Sequence, residues 1–514
     1  MFREKKVGNA LQIGVNCFEN DRTEQKPCLM LLAEELDFAV CHIDSVNYTV
    51  EEACQKGAEL AAAFKESGMD FIANYEFQNF RDDCTGPDGY DWANRPDGTH
   101  LLNLPPAYIQ ALASEGNLAG IMYDELEHVI VNRNLSIELA SKWKRKLPAF
   151  PLCKSRDTVT QGRLLDRQLK AYADAIKAGG APALCGEHVF PVLFHRFASA
   201  GMTPNFKSQK ESFSNIQFAI AVGAALQYGT PLWNCVDLWY RMKTPGHSPQ
   251  EMVHNLLFAY YAGVDRVYVE HCRRFTEGTE NDAALNKYGK AFASFLAEYK
   301  DKPRSYTAAD YRPEIGIIRF DDSFWGQCDP AAWKPMLFGN KNIRPDARAK
   351  EYLKVFHLLT HGESCKNGLS WDRVSPWSLR PHRSFATLNS TAVFDDTVRR
   401  KNLESLKLCF LCGYRISKET LADVQTLVRE NGLTVVTSKR FAPQDIHSQV
   451  HGAYAEIADG CGTWIVVRSF DDTKLKERLA PFLGQKGEIR LTFANKTVVL
   501  KISKDGETFT VKEE

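Results

Sequence analysis

The sequence predicts an α/β protein: a parallel (β/α)8 barrel, then a flavodoxin-like α/β domain, then a small antiparallel β domain. Three observations predict it. Strand-like and helix-like segments alternate from Leu11 to Tyr299, the order that makes a parallel sheet with crossover helices. Two of the apolar runs end on acids: LAGIMY leads into Asp124 and Glu125, and VDRVYV leads into Glu270. The last stretch instead carries β-like runs broken at Gly487, Asn495-Lys496 and Asp505-Gly506, and Asp-Gly between strands marks a hairpin.

Taken in order, residues 11–18 form a short apolar strand and 30–36 a helix. Residues 38–44 (FAVCHID) form the second strand. A helix over 50–67 follows, with Ala53, Leu60, Ala61 and Phe64 near helical spacing. Residues 69–75 (MDFIANY) are the third strand, and a turn-rich loop over 82–99 holds Tyr90 and Trp92. The 118–123 strand, a helix over 164–177, an apolar segment over 183–194, a helix over 215–227 with small residues suited to close packing, and a strand over 231–240 come next. A helix over 250–262, the 264–269 strand and a helix over 281–299 complete the unit. Seven strands are clear, and the missing eighth is expected near 148–153 or after His271.

A second unit opens with the strand 314–320 (EIGIIRF). It continues through strands at 391–394, 406–411 and 433–437. Its clearest helix covers 417–431, with Ser417 as N-cap and Gly432 as the stop. The tail is expected to form its own strands at 463–468, 488–493, 497–502 and 508–512. The expected domains are 1–311, 312–445 and 446–514.

Bulk composition narrows the function classes. The chain has 514 residues, 44% hydrophobic and 25% charged, which suits a multidomain globular protein. Lys+Arg and Asp+Glu both number 64, and no basic run occurs, so neither nucleic acid nor an anionic membrane is an expected partner. Fourteen cysteines show no framework spacing and read as buried thiols in a reducing setting. The start has no apolar h-region and no cleavage site, so a cytoplasmic location is expected, with a leader removed upstream left open.

A strand ending on an acid delivers that acid to the barrel rim, where the chemistry of such barrels takes place. Two carboxyl groups across one cleft are the minimum for cutting a glycosidic bond: one protonates the leaving oxygen, and the other attacks or activates water. Glu125 is the candidate acid/base and Glu270 the candidate nucleophile. The pair calls for a raised pKa on Glu125 and an ordinary one on Glu270. The plain alternative for each is a rim salt bridge, with Arg273 or Arg274 as partner for Glu270. Asp124 could bind a sugar hydroxyl or orient Glu125, or simply cap a turn. Glu187 rivals Glu270 as second carboxylate, with His188 beside it. Asn16, Asp44 and Glu76, at or near earlier strand ends, are candidate substrate contacts. So are Asn234, Trp239 and Tyr240 on the strand before Glu270, and His271 after it. Taken singly, each polar residue among them is more often a turn or core residue. No cofactor and no metal are expected on this reading, and the expected partner is a glycoside or oligosaccharide.

Acid–histidine neighbours recur at Glu127-His128, Glu187-His188 and Glu270-His271. They open a second reading, a metal-dependent barrel isomerase or hydrolase. Neighbouring strand residues face opposite ways, which argues against two ligands from one dipeptide. A third reading is a barrel that binds carbohydrate without cutting it.

The layout resembles the trimer-forming β-galactosidases of glycoside hydrolase family 42 and related clan-A enzymes. EIGIIRFDDSFW and LESLKLCFLCGYRISKETLADVQTLVRENGLTVV look like that family's amidotransferase-like domain, which packs subunits together. The resemblance implies a retaining β-glycosidase, β-galactosidase- or β-mannosidase-like, and a homotrimer. It implies the acid/base after strand four, at Glu125, and the nucleophile after strand seven, at Glu270. The clan's usual Asn before the acid/base is Asp124 here. AYYAGVDRVYVEH also looks like a strand-eight region of some relatives, which would make Glu270 a different rim residue, and Glu187 stays open as the second carboxylate.

Overall fold

The computed structural model describes residues 8–18, 31–76, 84–99, 101–131, 150–210, 212–238, 246–278, 282–326, 336–369 and 383–513. Eight parallel strands close a barrel in chain order: β1 Gln12–Phe18, β2 Phe38–His42, β3 Asp70–Asn74, β4 Leu118–Asp124, β5 Leu184–His188, β6 Thr203–Ser208, β7 Trp233–Asp237 and β8 Arg266–Glu270. β8 pairs back onto β1 through Val15 and Val269. The predicted (β/α)8 fold is therefore present, with its eighth strand in neither expected place. That strand is β6, TPNFKS, which follows a short helix, Phe194–Ser199. Its sequence hides it because Pro, Asn and Lys depress strand propensity. All six residues are nonetheless buried. Phe206 packs outward on Phe218, while Asn205 reaches the Tyr268 hydroxyl inside the barrel. Counted this way, Glu270 ends strand eight and Asp237 ends strand seven. The strand-seven position that the resemblance gave Glu270 is corrected accordingly.

The helices form where local signals start them. Thr49 and Glu52 close a capping box at the head of Val50–Glu66. Asp157 caps Thr158–Ala178, and Ser248 with Pro249 opens Pro249–Tyr261. As the sequence predicts, Ser417 caps Lys418–Asn431 and Gly432 ends it with φ 74°.

After the two-residue ribbon β9 Thr276–Glu277 and β10 Ala284–Leu285, the chain leaves the barrel through the helix Lys287–Tyr299. The next strands are β11 Ile315–Arg319, β12 Leu388–Asn389, β13 Thr391–Asp395, β14 Leu408–Cys412, β15 Thr434–Thr437, β16 Tyr454–Asp459 and β17 Gly462–Val467. All but β12 form one sheet in the order β13-β11-β14-β15-β17-β16, parallel except for β16 against β17. The strand expected to open the tail's own β domain, β17, thus belongs to this sheet. The small sheet has the order β12-β18-β19-β20, where β18 is Glu488–Thr492, β19 Thr497–Ile502 and β20 Phe509–Glu513. Its β12 comes from the strand pair that feeds the larger sheet.

The barrel and the six-stranded sheet share a core. The helix Ser214–Tyr228 lies between β6 and β13 and is buried over most of its length. A Cβ built on Gly223 would fall 1.7 Å from the Val393 carbonyl oxygen, so helix and strand backbones touch directly. This is the close packing that the small residues predict. His195 Nε2 meets the same carbonyl at 2.8 Å, and the Arg196 guanidinium donates to the Asp321 carbonyl. Gly223→Ala therefore forces the two backbones apart. It should cost at least about 1–3 kcal/mol in a urea or guanidinium denaturation series.

Candidate functional site at the barrel mouth

The barrel lumen is filled by Phe38, Val40, Ile72, Ala119, Met122, Cys185, Trp233, Cys235 and Tyr268. Because strand side chains repeat every two residues, six of these positions each predict a mouth residue two steps on. They are His42, Asn74, Asp124, Glu187, Asp237 and Glu270. On β6 the step from Asn205 leads to Lys207. The mouth is thus ringed by acids around a buried ammonium.

Lys207 Nζ lies 3.0 Å from Glu270 Oε2, 3.3 Å from Glu187 Oε1, 3.6 Å from Glu125 Oε1 and 3.6 Å from Asp237 Oδ2. Its side chain is 3% exposed. Asn234 Nδ2 holds the end of β6 in place by donating to Phe206 O at 2.7 Å and Ser208 Oγ at 3.1 Å. Glu125 also faces the His128 ring, with Oε2 3.4 Å from Nδ1. Asn74 Nδ2 donates to Asp124 Oδ2 at 2.9 Å. Its Oδ1 accepts from the Glu76 backbone N–H at 3.1 Å. Glu76 Oε2 lies 3.3 Å from His42 Nδ1. The Cys235 thiol donates to Glu270 Oε2 at 3.4 Å from the floor below.

Charge balance sets which acids are ionised. Burial works against the Glu270 carboxylate, but the Lys207 ammonium, with His271 and His42, outweighs it and pulls the carboxyl down to about 2. Burial also opposes Glu125, and the His128 contact together with Lys207 brings it below the ordinary range. One ammonium does not serve every acid. Burial, with the Glu125 and Glu270 charges, lifts Glu76 to about 8. Burial lifts Asp124 to about 6 against the pull of Lys207. Burial and the Asp124 charge raise Glu187 well above its usual value. The expected pattern, raised on Glu125 and ordinary on Glu270, is therefore corrected. Both are held ionised, and near neutral pH the protons sit on Glu76 and Glu187, while Asp124, at about 6, has largely released its own.

The other expected site residues divide. Asp124 and Glu187 reach the mouth, with Glu187 wholly buried beneath it. Glu76 stands on the rim, and its side chain is 22% exposed. His271 lies beside Asp237, Nε2 to Oδ1 at 3.8 Å, because its φ of 65° turns it back over the end of β8. Asn16 is buried and accepts from the Cys272 backbone N–H at 3.2 Å, which ties β1 to the turn after β8. Three expectations are corrected. His188 faces away from the mouth, stacked on Phe194 with its Nδ1 2.8 Å from Val192 O, since it neighbours the inward Glu187. Asn234 is a wall residue for the same reason. Asp44 caps the 3-10 turn Ser45–Asn47 through Val46 N–H and Asn47 Nδ2. Trp239 and Tyr240 lie outside the described residues. Sequence reasoning did not single out Lys207 or His42. The signal for both is the two-residue step from a lumen position.

No family model matches the sequence, and no curated protein matches it. Among solved structures, the catalytic module of a family 98 glycoside hydrolase from Streptococcus pneumoniae TIGR4, in complex with the H-disaccharide blood group antigen, is similar over 98% of this chain and 76% of its own, at 10% identity and a TM-score of 0.47. An apo exo-carrageenase of glycoside hydrolase family 42 from Bacteroides ovatus is similar over 98% of this chain and 75% of its own, at 9% identity and a TM-score of 0.44. A dihydropteroate synthase from Thermus thermophilus is similar over 58% of this chain and 98% of its own, at 14% identity and a TM-score of 0.25. No helix among the described residues is long and apolar enough to cross a membrane.

The proton distribution has a measurable consequence. Folded Glu76 keeps its proton to about 8, whereas a free carboxyl releases it near 4.5. Between those values the folded state binds more protons than the unfolded state, so stability falls as pH rises. Glu270 contributes the opposite sign: its stabilisation is complete above 4.5 and is lost as pH falls towards about 2. Denaturant midpoints measured from pH ~5 to ~8 should decline for the wild type and decline less for Glu76→Gln.

Proposed function

We propose that the chain is a glycoside hydrolase acting on a β-linked glycoside by retention, with Glu270 as nucleophile and Glu125 as acid/base. The observation that supports this most is the shared ammonium. Lys207 Nζ touches Glu270 at 3.0 Å and Glu125 at 3.6 Å, so acids far apart in sequence face one pocket. The two oxygens lie no farther apart than the sum of those distances. That limit favours the retaining spacing of about 5–5.5 Å over most of the inverting range of about 6.5–9.5 Å. Lys207 keeps Glu270 ionised, as attack at an anomeric carbon requires. Glu125, with His128 Nδ1 3.4 Å from its Oε2, is set to relay a proton to a leaving oxygen. Glu76, which keeps its proton to about 8, is the other proton source at this rim.

A screen of nitrophenyl glycosides tests the reading. Glu125→Ala should lower kcat by about 10²–10⁴-fold on a poor leaving group and far less on a dinitrophenyl one. Glu270→Ala should be inactive on both and recover with azide, giving a glycosyl azide of inverted anomer. If the leaving-group dependence follows Glu76→Ala instead, the acid/base role moves to Glu76. No turnover by the wild type, with sugar affinity kept in both alanine variants, would leave a carbohydrate-binding barrel.

One observation favours the metal-dependent reading. Donor atoms of His42, Glu76, Asp124 and Glu270 all lie within 4.8 Å of one another. Carboxylates with one imidazole suit a hard or borderline divalent cation. Against it, Lys207 already places a positive charge on Glu270. Exhaustive chelation separates the two: activity should persist in the glycosidase reading and disappear in the metal reading.

A further inference from the structure

A second concavity of about 900 Å³ opens where the small sheet meets the end of the helix Glu351–Leu359 and the loop after β6. Its charge is opposite to that of the barrel mouth. Lys366, Arg383, Lys486 and Lys504 line it, all exposed, and none makes an ion pair among the described residues. Glu363 is the one carboxylate among the described lining residues, and it is already engaged, accepting from the Thr387 backbone N–H at 2.6 Å. The Arg383 stem lies across Gly506, where φ is 74° and a Cβ would come within 2.4 Å of Arg383 Cδ. The β19–β20 turn thus leaves a berth that only glycine keeps open. The same turn is fixed to the barrel rim, since Lys210 Nζ meets Glu507 at 3.1 Å and Glu251 at 2.5 Å.

We infer that this cleft binds the sulfate or carboxylate groups of an acidic saccharide chain. The inference rests on the glycoside-hydrolase reading for the saccharide and on the cleft alone for the charge. Four cations without ion pairs among the described residues, set around a bounded hollow, make an anion site, because each gains charge-assisted hydrogen bonds without breaking an existing ion pair. The mouth, where Glu125 and Glu270 are held ionised, repels an anionic sugar unit. An acidic chain bound here would present an uncharged unit to the barrel.

The test is native affinity electrophoresis of the full chain in gels containing dextran sulfate or neutral dextran at ~0.15 M salt. Dextran sulfate should retard the wild type and neutral dextran should not. Lys366→Ala/Lys504→Ala and Arg383→Ala/Lys486→Ala should each weaken retardation by about tenfold. Lys65→Ala/Lys177→Ala, which removes equal charge elsewhere, should change it less than about twofold. Equal weakening by cleft and control variants overturns the proposal, as does absence of retardation. So does full displacement by inorganic sulfate at equal charge, which marks a site for the free anion, or equal retention by single-stranded DNA. Turnover of small nitrophenyl glycosides should be unchanged in the cleft variants. A wild type that holds dextran sulfate yet cleaves no glycoside fails the hydrolase reading while keeping the anion site.

Discussion

Among the described residues, the ammonium of Lys207 is the only lysine or arginine charge placed among the carboxyl groups that the ends of β4, β5, β7 and β8 bring together. Bringing several acids out of water into one pocket is costly, and the usual relief is protonation. Lys207 relieves part of the cost and leaves protons to relieve the rest. The result is a mouth with two kinds of acid, some ionised and some protonated. Acid–base chemistry needs that separation.

The surrounding structure serves to hold β6 still. Asn234 fastens its end to β7, and the outward Phe206 packs into the helix Ser214–Tyr228. That helix is in turn trapped against β13 at Gly223. The six-stranded sheet therefore acts on the site from a distance, by immobilising the wall that carries the lysine. Buried arginines near that contact are paired, Arg319 with Asp322 and Arg196 with Asp166. A rigid support of this kind suits a site whose charges must keep their separations to within a fraction of an ångström.

Much of this was legible in the sequence, for identifiable reasons. The parallel strands were visible where they were continuously apolar, and Ser417 and Gly432 marked their helix because capping is local chemistry. Glu125 and Glu270 were visible as acids terminating apolar runs. β6 was not, because its inward residues serve the site and so break the apolar pattern that marks a buried strand. Losing that strand hid Lys207 and moved Glu270 one place in the count. The protonation pattern was illegible for a related reason. It depends on how many acids share one cation, which no spacing along the chain reports. His188 and Asn234 each adjoin an inward residue, Glu187 and Cys235, so the alternation of the strand turns their own side chains to the wall.

Glu125 has φ 54° and His271 φ 65°, each the first residue beyond its strand. Left-handed backbone at a residue with a side chain is disfavoured and survives only where the surroundings impose it. The aim of these two groups is consequently written into the main chain, with rotamer choice left only the final adjustment. Shape-conserving exchanges such as Glu125→Gln can inherit that posture, whereas a β-branched side chain at either position would have to unbend the corner before it could point anywhere useful.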